Sequence, residues 1–366
     1  MSSTDLKLGH VLQKAECGEP LSSYELQYLL GLSKPDELNR VFELACSLRD
    51  RHFENKVFLY SFIYFSTWCR NDCTFCYYRK SNTHTTRYRK TEAEVLDAAV
   101  SMAESGVHLI DLTLGEDPFY YKRHGFGPLV DLVKKVKTQT GLPVMVSPGV
   151  VPEQVLGGLA QAGADWYACY QETHNRELFK QLRLSQSYDA RFASKKNAMR
   201  CGLLVEDGIL AGVGETLSDI AFSLKTMSSL GAHQVRVMSF VPQKGTPMDC
   251  WPTPPRIKEL LVIALLRILM PDRLIPASLD VDGVEGLQAR INAGANVITS
   301  LIPPQLGLAG VAQSTKDINE GYRTVQGIIP VLKQMGMSVA SFEDYNCWLK
   351  NEKKKLQVTF SSEVSV

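Results

Sequence analysis

At 366 residues the chain has room for two ordinary domains, or for one α/β barrel of about 250 residues with flanking segments. A hydrophobic share of 45% supplies a sizeable core, and a net charge of +1 gives no global attraction for nucleic acid. No apolar run approaches the roughly 18 to 20 residues that cross a bilayer, so no membrane partner is expected. Residues 1–5 are polar and lack the apolar core of a secretory signal. With nine cysteines and no such signal, the reading is a reducing cytoplasm rather than a disulfide framework.

In chain order, residues 33–51 place Leu38, Val41, Phe42, Ala45 and Leu48 on one face, which predicts an amphipathic helix. Eight β-rich runs follow, at 58–65, 108–114, 143–147, 166–171, 202–206, 234–240, 274–279 and 296–301. The stretches between them are long enough for helices, and Thr91-Glu92-Ala93-Glu94 forms a capping box at the start of one. Eight such units predict an α/β fold, a (β/α)8 TIM-type barrel over 57–305, whose active site lies at the C-terminal strand ends. A helical extension over 1–56 precedes it, and a C-terminal helical extension with a polar tail covers 306–366. The tail from 350, with its run of three lysines at 353–355 and no periodicity, is expected to be frayed and solvated.

The chemistry concentrates after the strand runs. Cys69, Cys73 and Cys76, spaced C-x3-C-x2-C, follow the first run directly. Three thiolates on one loop can hold three irons of a [4Fe–4S] cube and leave the fourth open. A structural zinc site would need a fourth ligand, and the nearest candidate, His84, stands at an unusual spacing in a polar loop. The other six cysteines (Cys17, Cys46, Cys169, Cys201, Cys250 and Cys347) read by default as small buried hydrophobes. Other strand ends carry Gly115-Glu116, Glu172-Thr173 and the glycine-rich stretch 208–215. Asp111, Glu206, Asp207 and Asp280 could meet ammonium groups, and Arg236 a carboxylate, with Ser278 and Ser300 completing the polar set. The plain alternatives are a turn ending a strand at Gly115, a surface charge at Arg191, and a structural ion network at the barrel rim.

The cysteine motif, with Phe75 before its last cysteine, resembles that of the radical S-adenosylmethionine (SAM) superfamily. The resemblance implies a [4Fe–4S] cluster on Cys69, Cys73 and Cys76, with SAM chelating the open iron. It places Tyr77 beside the cofactor, and Gly115 and Glu116 on the methionine amino group; Leu114 stands where the family has a further glycine. The stretch 208–215 is similar to the family's G-x-I-x-G-x-x-E element, with Leu210 packing on the adenine. Glu172, Arg191 and, less directly, Arg183 match the biotin synthase and hydrogenase-maturase branch, where they would bind polar groups of SAM.

Within that branch the chain resembles the 3-methylornithine synthases of pyrrolysine biosynthesis over most of its length, through stretches such as 110–113, 147–150, 235–238, 276–280 and 292–296. This implies a mutase that isomerises L-lysine to (3R)-3-methyl-D-ornithine by hydrogen abstraction and carbon-skeleton rearrangement, with no side chain as chemical catalyst. By the same resemblance Asp111, Ser147, Arg236, Ser278, Asp280 and Ser300 bind the substrate. A reduced ferredoxin or flavodoxin would deliver the electron, near a basic stretch over 70–90 read as a solvated loop. The strand ends where biotin synthase holds a second cluster carry Asp111, Ser147 and Glu206 here, which disfavours sulfur insertion; Cys169 is the one thiol that strand parity could turn inward. The alternatives are a maturase-like enzyme acting on another small amino acid, or an iron–sulfur maturation factor.

Overall fold

The structure, a computed structural model, describes residues 8–303 and 322–363. Its strands are β1 (Lys56–Ser61), β2 (Ile63–Ser66), β3 (Ile110–Leu114), β4 (Val144–Ser147), β5 (Trp166–Ala168), β6 (Leu204–Ala211), β7 (Gln234–Ser239), β8 (Pro276–Ser278), β9 (Val297–Leu301) and β10 (Ser338–Val339). All pair in parallel, in the orders β2-β3-β4-β5-β6-β7 and β10-β1-β9-β8. The two sheets are joined at both edges. His108 N donates to Leu59 O at 2.8 Å and Ser61 N to Leu109 O at 3.0 Å; opposite them, Val235 N donates to Leu274 O at 3.0 Å. A ring of parallel strands results, flanked by helices such as Glu92–Ser105, Gly127–Thr140, Leu217–Leu230 and Arg256–Leu269. This is the expected barrel.

The run expected as one strand at 58–65 is two strands. Phe58 of β1 pairs with Val297 of β9, Ile63 of β2 pairs with Leu112 of β3, and Phe62 between them still donates to Leu301 O at 2.7 Å. The register shifts on both sides of this break, which lets one run of chain serve two neighbours as the sheet closes. The run expected at 202–206 extends to Ala211, so Gly208 lies within β6, paired with Arg236 of β7.

The capping box at Thr91 forms: the Thr91 hydroxyl accepts from Glu94 N at 3.3 Å, and the Glu94 carboxylate from Thr91 N at 2.7 Å. The N-terminal amphipathic helix is Pro35–Phe53, which buries Leu38, Val41, Ala45 and Leu48 and half-buries Phe42.

The C-terminal tail differs from expectation. Residues 350–363 belong to the helix Phe342–Glu363, which crosses the N-terminal mouth of the barrel. Its Tyr345 hydroxyl meets that of Tyr60 at 2.8 Å, and Trp348 stacks on Trp166 with ring centroids 5.8 Å apart. Lys353 pairs with Asp165 at 2.5 Å, and buried Glu352 pairs with Arg273. Those partners lie some 80 to 190 positions earlier in the chain, so the lysine run shows no reason for order when read locally. The expected boundary at 305/306 lies outside the described residues. Among the described residues no helix is long and apolar enough to cross a membrane.

Candidate active site

At the opposite mouth the chain leaves β2 and runs through residues 67–91 with almost no regular structure. Such a segment needs side chains to satisfy its backbone. Arg87 donates to the carbonyls of Thr67, Tyr78 and Arg79 at 2.5, 2.8 and 2.6 Å. Asp72 holds Arg79 at 2.8 Å, and Asp117, just past β3, takes two nitrogens of Arg89 at 2.7 Å each and the Ser66 hydroxyl at 2.6 Å. Arg79, Arg87 and Arg89 thus brace a segment that is otherwise a solvated loop, with residues 70, 80, 81, 83, 84, 86 and 89 exposed.

This braced loop brings Cys69, Cys73 and Cys76 to one cavity. Burial, followed by the neighbouring Cys73, pushes the Cys69 thiol up to about 11, and burial raises Cys76 as well. Thiolates here need positive charge to form, which irons supply. Among the described residues no three His, Cys, Asp or Glu side chains converge on a point suited to one ion. A [4Fe–4S] cube instead asks for separated thiolates, one per iron. Cys73 Sγ accepts from Gln186 Nε2 at 3.1 Å, and Arg183 Nη1 stands 3.7 Å away.

Gly115 lies against the loop so closely that a Cβ would sit 2.3 Å from Trp68 O and 3.1 Å from Cys69 Cβ. Glu116 is buried, accepts from Arg70 at 2.9 Å and from Arg191 at 3.2 Å, and covers Gly149, where a Cβ would meet it at 2.3 Å. Glu172 sits at φ 66°, a backbone region that non-glycine residues seldom adopt, and holds Arg183 at 2.7 Å. Arg183 Nε and Arg191 Nε are buried without a hydrogen-bond partner. Orphaned guanidinium donors beside two carboxylates and three thiols fit a ligand that carries its own carboxylate and ammonium, as SAM does. Leu210 lines an adjoining cavity with Phe75, Tyr170 and Arg236. Glu215 caps the glycine turn before it, accepting from Gly212 N and Val213 N at 2.8 Å each. Tyr77 lines neither cavity; its hydroxyl donates to His84 O at 2.7 Å, and Tyr78 faces the cysteines instead.

Below the cysteine cavity, Asp111 of β3, Glu206 of β6 and Arg236 of β7 form one buried electrostatic group. Arg236 Nε donates to Glu206 at 2.8 Å, and the Tyr170 hydroxyl donates to the same carboxylate at 3.0 Å. Burial and the nearby Glu206 charge raise Asp111 to about 7, against the pull of Arg236 and a 3.0 Å hydrogen bond from Thr113. Asp207, the next residue on β6, faces the other way. It is held by Lys195 at 2.5 Å and His174 at 3.2 Å, so it is a structural anchor and not available to an ammonium. Strand alternation explains the split.

Ser278 and Ser300 meet at 3.1 Å, and Asp280 N donates to Ser278 Oγ at 3.2 Å. Arg323, unforeseen from the sequence, lies 3.5 Å from Asp280 and donates to Ser300 O at 3.2 Å. Ser147 lines the cysteine cavity and donates to Ala168 O at 3.3 Å, whereas Asp111, Ser278, Asp280 and Ser300 line neither cavity. Of the six remaining cysteines, Cys169 is buried and does turn inward, 3.2 Å from Arg191 Nη1; Cys17, Cys250 and Cys347 are exposed, contrary to expectation. Tyr170, which lines the cysteine cavity, and Gln186, which donates to Cys73, belong to the site although neither residue type carries a motif signal in the sequence.

The radical SAM superfamily profile matches residues 63–227. The 3-methylornithine synthase of Methanosarcina barkeri is 43% identical over 285 residues, covering 78% of this chain and 81% of that protein. The [FeFe] hydrogenase maturase subunit HydE of Thermotoga maritima is 30% identical over 261 residues, covering 70% and 74%. A crystal structure of methylornithine synthase (PylB) superposes with a TM-score of 0.88 at 41% identity, over 92% of this chain and 99% of that one. The chain belongs to the 3-methylornithine synthase family of radical SAM enzymes.

Proposed function

We propose that the chain is a mutase that isomerises L-lysine to (3R)-3-methyl-D-ornithine in pyrrolysine biosynthesis, within the cytoplasm and with a reduced ferredoxin or flavodoxin as electron donor. The observation that carries this reading is the buried set of Asp111, Glu206 and Arg236 at inner strand positions of a barrel whose N-terminal mouth is crossed by the C-terminal helix. Such a set matches a free diamino acid, with its two ammonium groups and one carboxylate, better than it matches a macromolecule.

Cys69, Cys73 and Cys76 would hold the [4Fe–4S] cluster. Glu116, Glu172, Arg183 and Arg191 would hold the polar groups of SAM, and Leu210 its adenine. Bound together and given one electron by the reduced donor, cluster and SAM would supply 5′-deoxyadenosyl radical chemistry. The protein's own part is to clamp and to exclude water. Arg236 would fix the substrate carboxylate, Asp111 and Asp280 would take the ammonium groups, and Ser147, Ser278 and Ser300 would orient them.

The test is anaerobic reconstitution, reduction and mass spectrometry with L-lysine as the sole amino acid. Methylornithine is the expected product. The likeness to HydE keeps one competitor, a maturase-like activity; 5′-deoxyadenosine formed with tyrosine or cysteine derivatives but not with lysine would favour it.

A further inference from the structure

Tyr170 belongs to both halves of the site. It lines the cavity of the three cysteines and also the adjoining cavity of Leu210 and Arg236. Its main-chain carbonyl accepts from Arg183 Nη2 at 3.2 Å and from Arg191 Nη1 at 3.3 Å, the two arginines with orphaned nitrogens. Its side chain reaches the other way: the hydroxyl donates to Glu206 at 3.0 Å, and the Arg236 guanidinium stands 5.5 Å from the ring centroid. The ring is wedged in place. A Cβ on Gly208, the residue in register with Arg236, would come within 3.2 Å of Tyr170 Cδ1.

Glu206 takes hydrogen bonds from both Tyr170 and Arg236. A diamino acid that lays its carboxylate on Arg236 and an ammonium among the acids redistributes those bonds. The side chain that shares Glu206 with Arg236 is attached to the carbonyl that steadies both cofactor-side arginines. A packed ring tied at both ends passes a shift from one side to the other.

We propose that Tyr170 is a positioning residue that couples occupation of the amino-acid chamber to the SAM pocket, so that the two ligands bind cooperatively. The proposal rests on the diamino-acid reading above. Linkage makes the coupling reciprocal: the factor by which lysine tightens SAM is the factor by which SAM tightens lysine.

The experiment is equilibrium binding of SAM to full-length, anaerobically reconstituted but unreduced protein, with and without saturating L-lysine. In the unsubstituted protein lysine should tighten SAM by about fivefold or more. Tyr170→Phe keeps the ring and the carbonyl and deletes only the hydroxyl. Its SAM affinity without lysine should stay near that of the unsubstituted protein, while the lysine effect falls below about twofold. Glu206→Gln, which weakens the acceptor but keeps its shape, should reduce the lysine effect as well. A Tyr170→Phe protein in which lysine still tightens SAM by the full factor would overturn the coupling and leave lysine as substrate. Equal loss of SAM affinity with and without lysine would also overturn it, since that is the mark of a purely structural residue. Unsubstituted protein that does not bind lysine at all would remove the diamino-acid reading and the coupling with it.

Discussion

Lysine binding should release a proton, and Asp111 should be its source. The buried carboxyl titrates at about 7 in the free protein, because burial and the Glu206 charge outweigh Arg236 and the Thr113 hydrogen bond. At pH 6 about a tenth of such a group is ionised, at pH 7 half, and at pH 8 about nine tenths. An ammonium group needs the ionised form and holds it once bound, which drives the titration point down. The apparent lysine affinity should therefore strengthen about tenfold between pH 6 and pH 8 and then level off.

The same shift has a stability counterpart. The folded value lies above the unfolded one of 3.8, so the group's stabilising contribution is full below about pH 4 and is lost as pH rises through 7. The total is on the order of 4 kcal/mol. Asp111→Asn should remove that loss and make the free protein more resistant to heat at pH 8, while weakening lysine binding by several kcal/mol. The assay is calorimetry of lysine binding at pH 6 in buffers of different ionisation enthalpy, which counts protons directly. Close to one proton should leave per lysine in the unsubstituted protein and close to none in Asp111→Asn. Lysine affinity that is flat from pH 6 to 8, or proton release that survives the substitution, would refute this account.

Cys69→Ala, Cys73→Ala and Cys76→Ala should each lose iron on reconstitution and abolish SAM cleavage; Cys169→Ala should keep the iron content of the unsubstituted protein, and iron loss there would reopen the question of a second cluster. Arg191→Ala should weaken SAM binding with the cluster intact. Arg236→Ala should spare SAM in the absence of amino acid and cost lysine about 2 to 5 kcal/mol, because it strands buried Glu206 as well as the substrate carboxylate; equal damage to SAM affinity from both changes would contradict the division. Gly115→Ala pushes the Trp68–Cys69 peptide away from β3 and should cost about 1 to 3 kcal/mol locally, seen as reduced iron loading in a chain with unchanged far-ultraviolet circular dichroism.

The barrel was legible in the sequence because its parallel strands are buried on both faces and so appear as short apolar runs between turn signals. What escaped was whatever depends on partners distant in the chain. Nothing local to Phe62 announces that β1 and β2 must divide between β9 and β3, since the break is a property of the closing ring. Asp207 and Glu206 are equivalent as residue types, yet Lys195 and His174 lie behind Asp207, and strand parity alone separates the two. Parity then fails beside the neighbouring strand β5, where Ala168, Cys169, Tyr170 and Glu172 all line one cavity: the strand ends at Ala168, and Glu172 sits at φ 66°. Cys69, Cys73 and Cys76 needed no such help, since a close spacing on one loop survives any fold that carries it.

The helix across the lower mouth also has a kinetic consequence. Thr113, which lines the cysteine cavity, donates to Asp111 at 3.0 Å, so the proposed ammonium site lies next to that cavity, toward the N-terminal end of the same strand. With Tyr60, Trp166, Tyr345 and Trp348 packed across the other end, an amino acid bound there would have to pass the place proposed for SAM. Arrival would thereby be ordered. On the proposed reading lysine would enter first and SAM would bind over it, and the product would leave only once the nucleoside had gone. Steady-state inhibition should carry that signature: a dead-end analogue of SAM would trap lysine inside, and an excess of SAM added first would slow lysine entry rather than compete for its site.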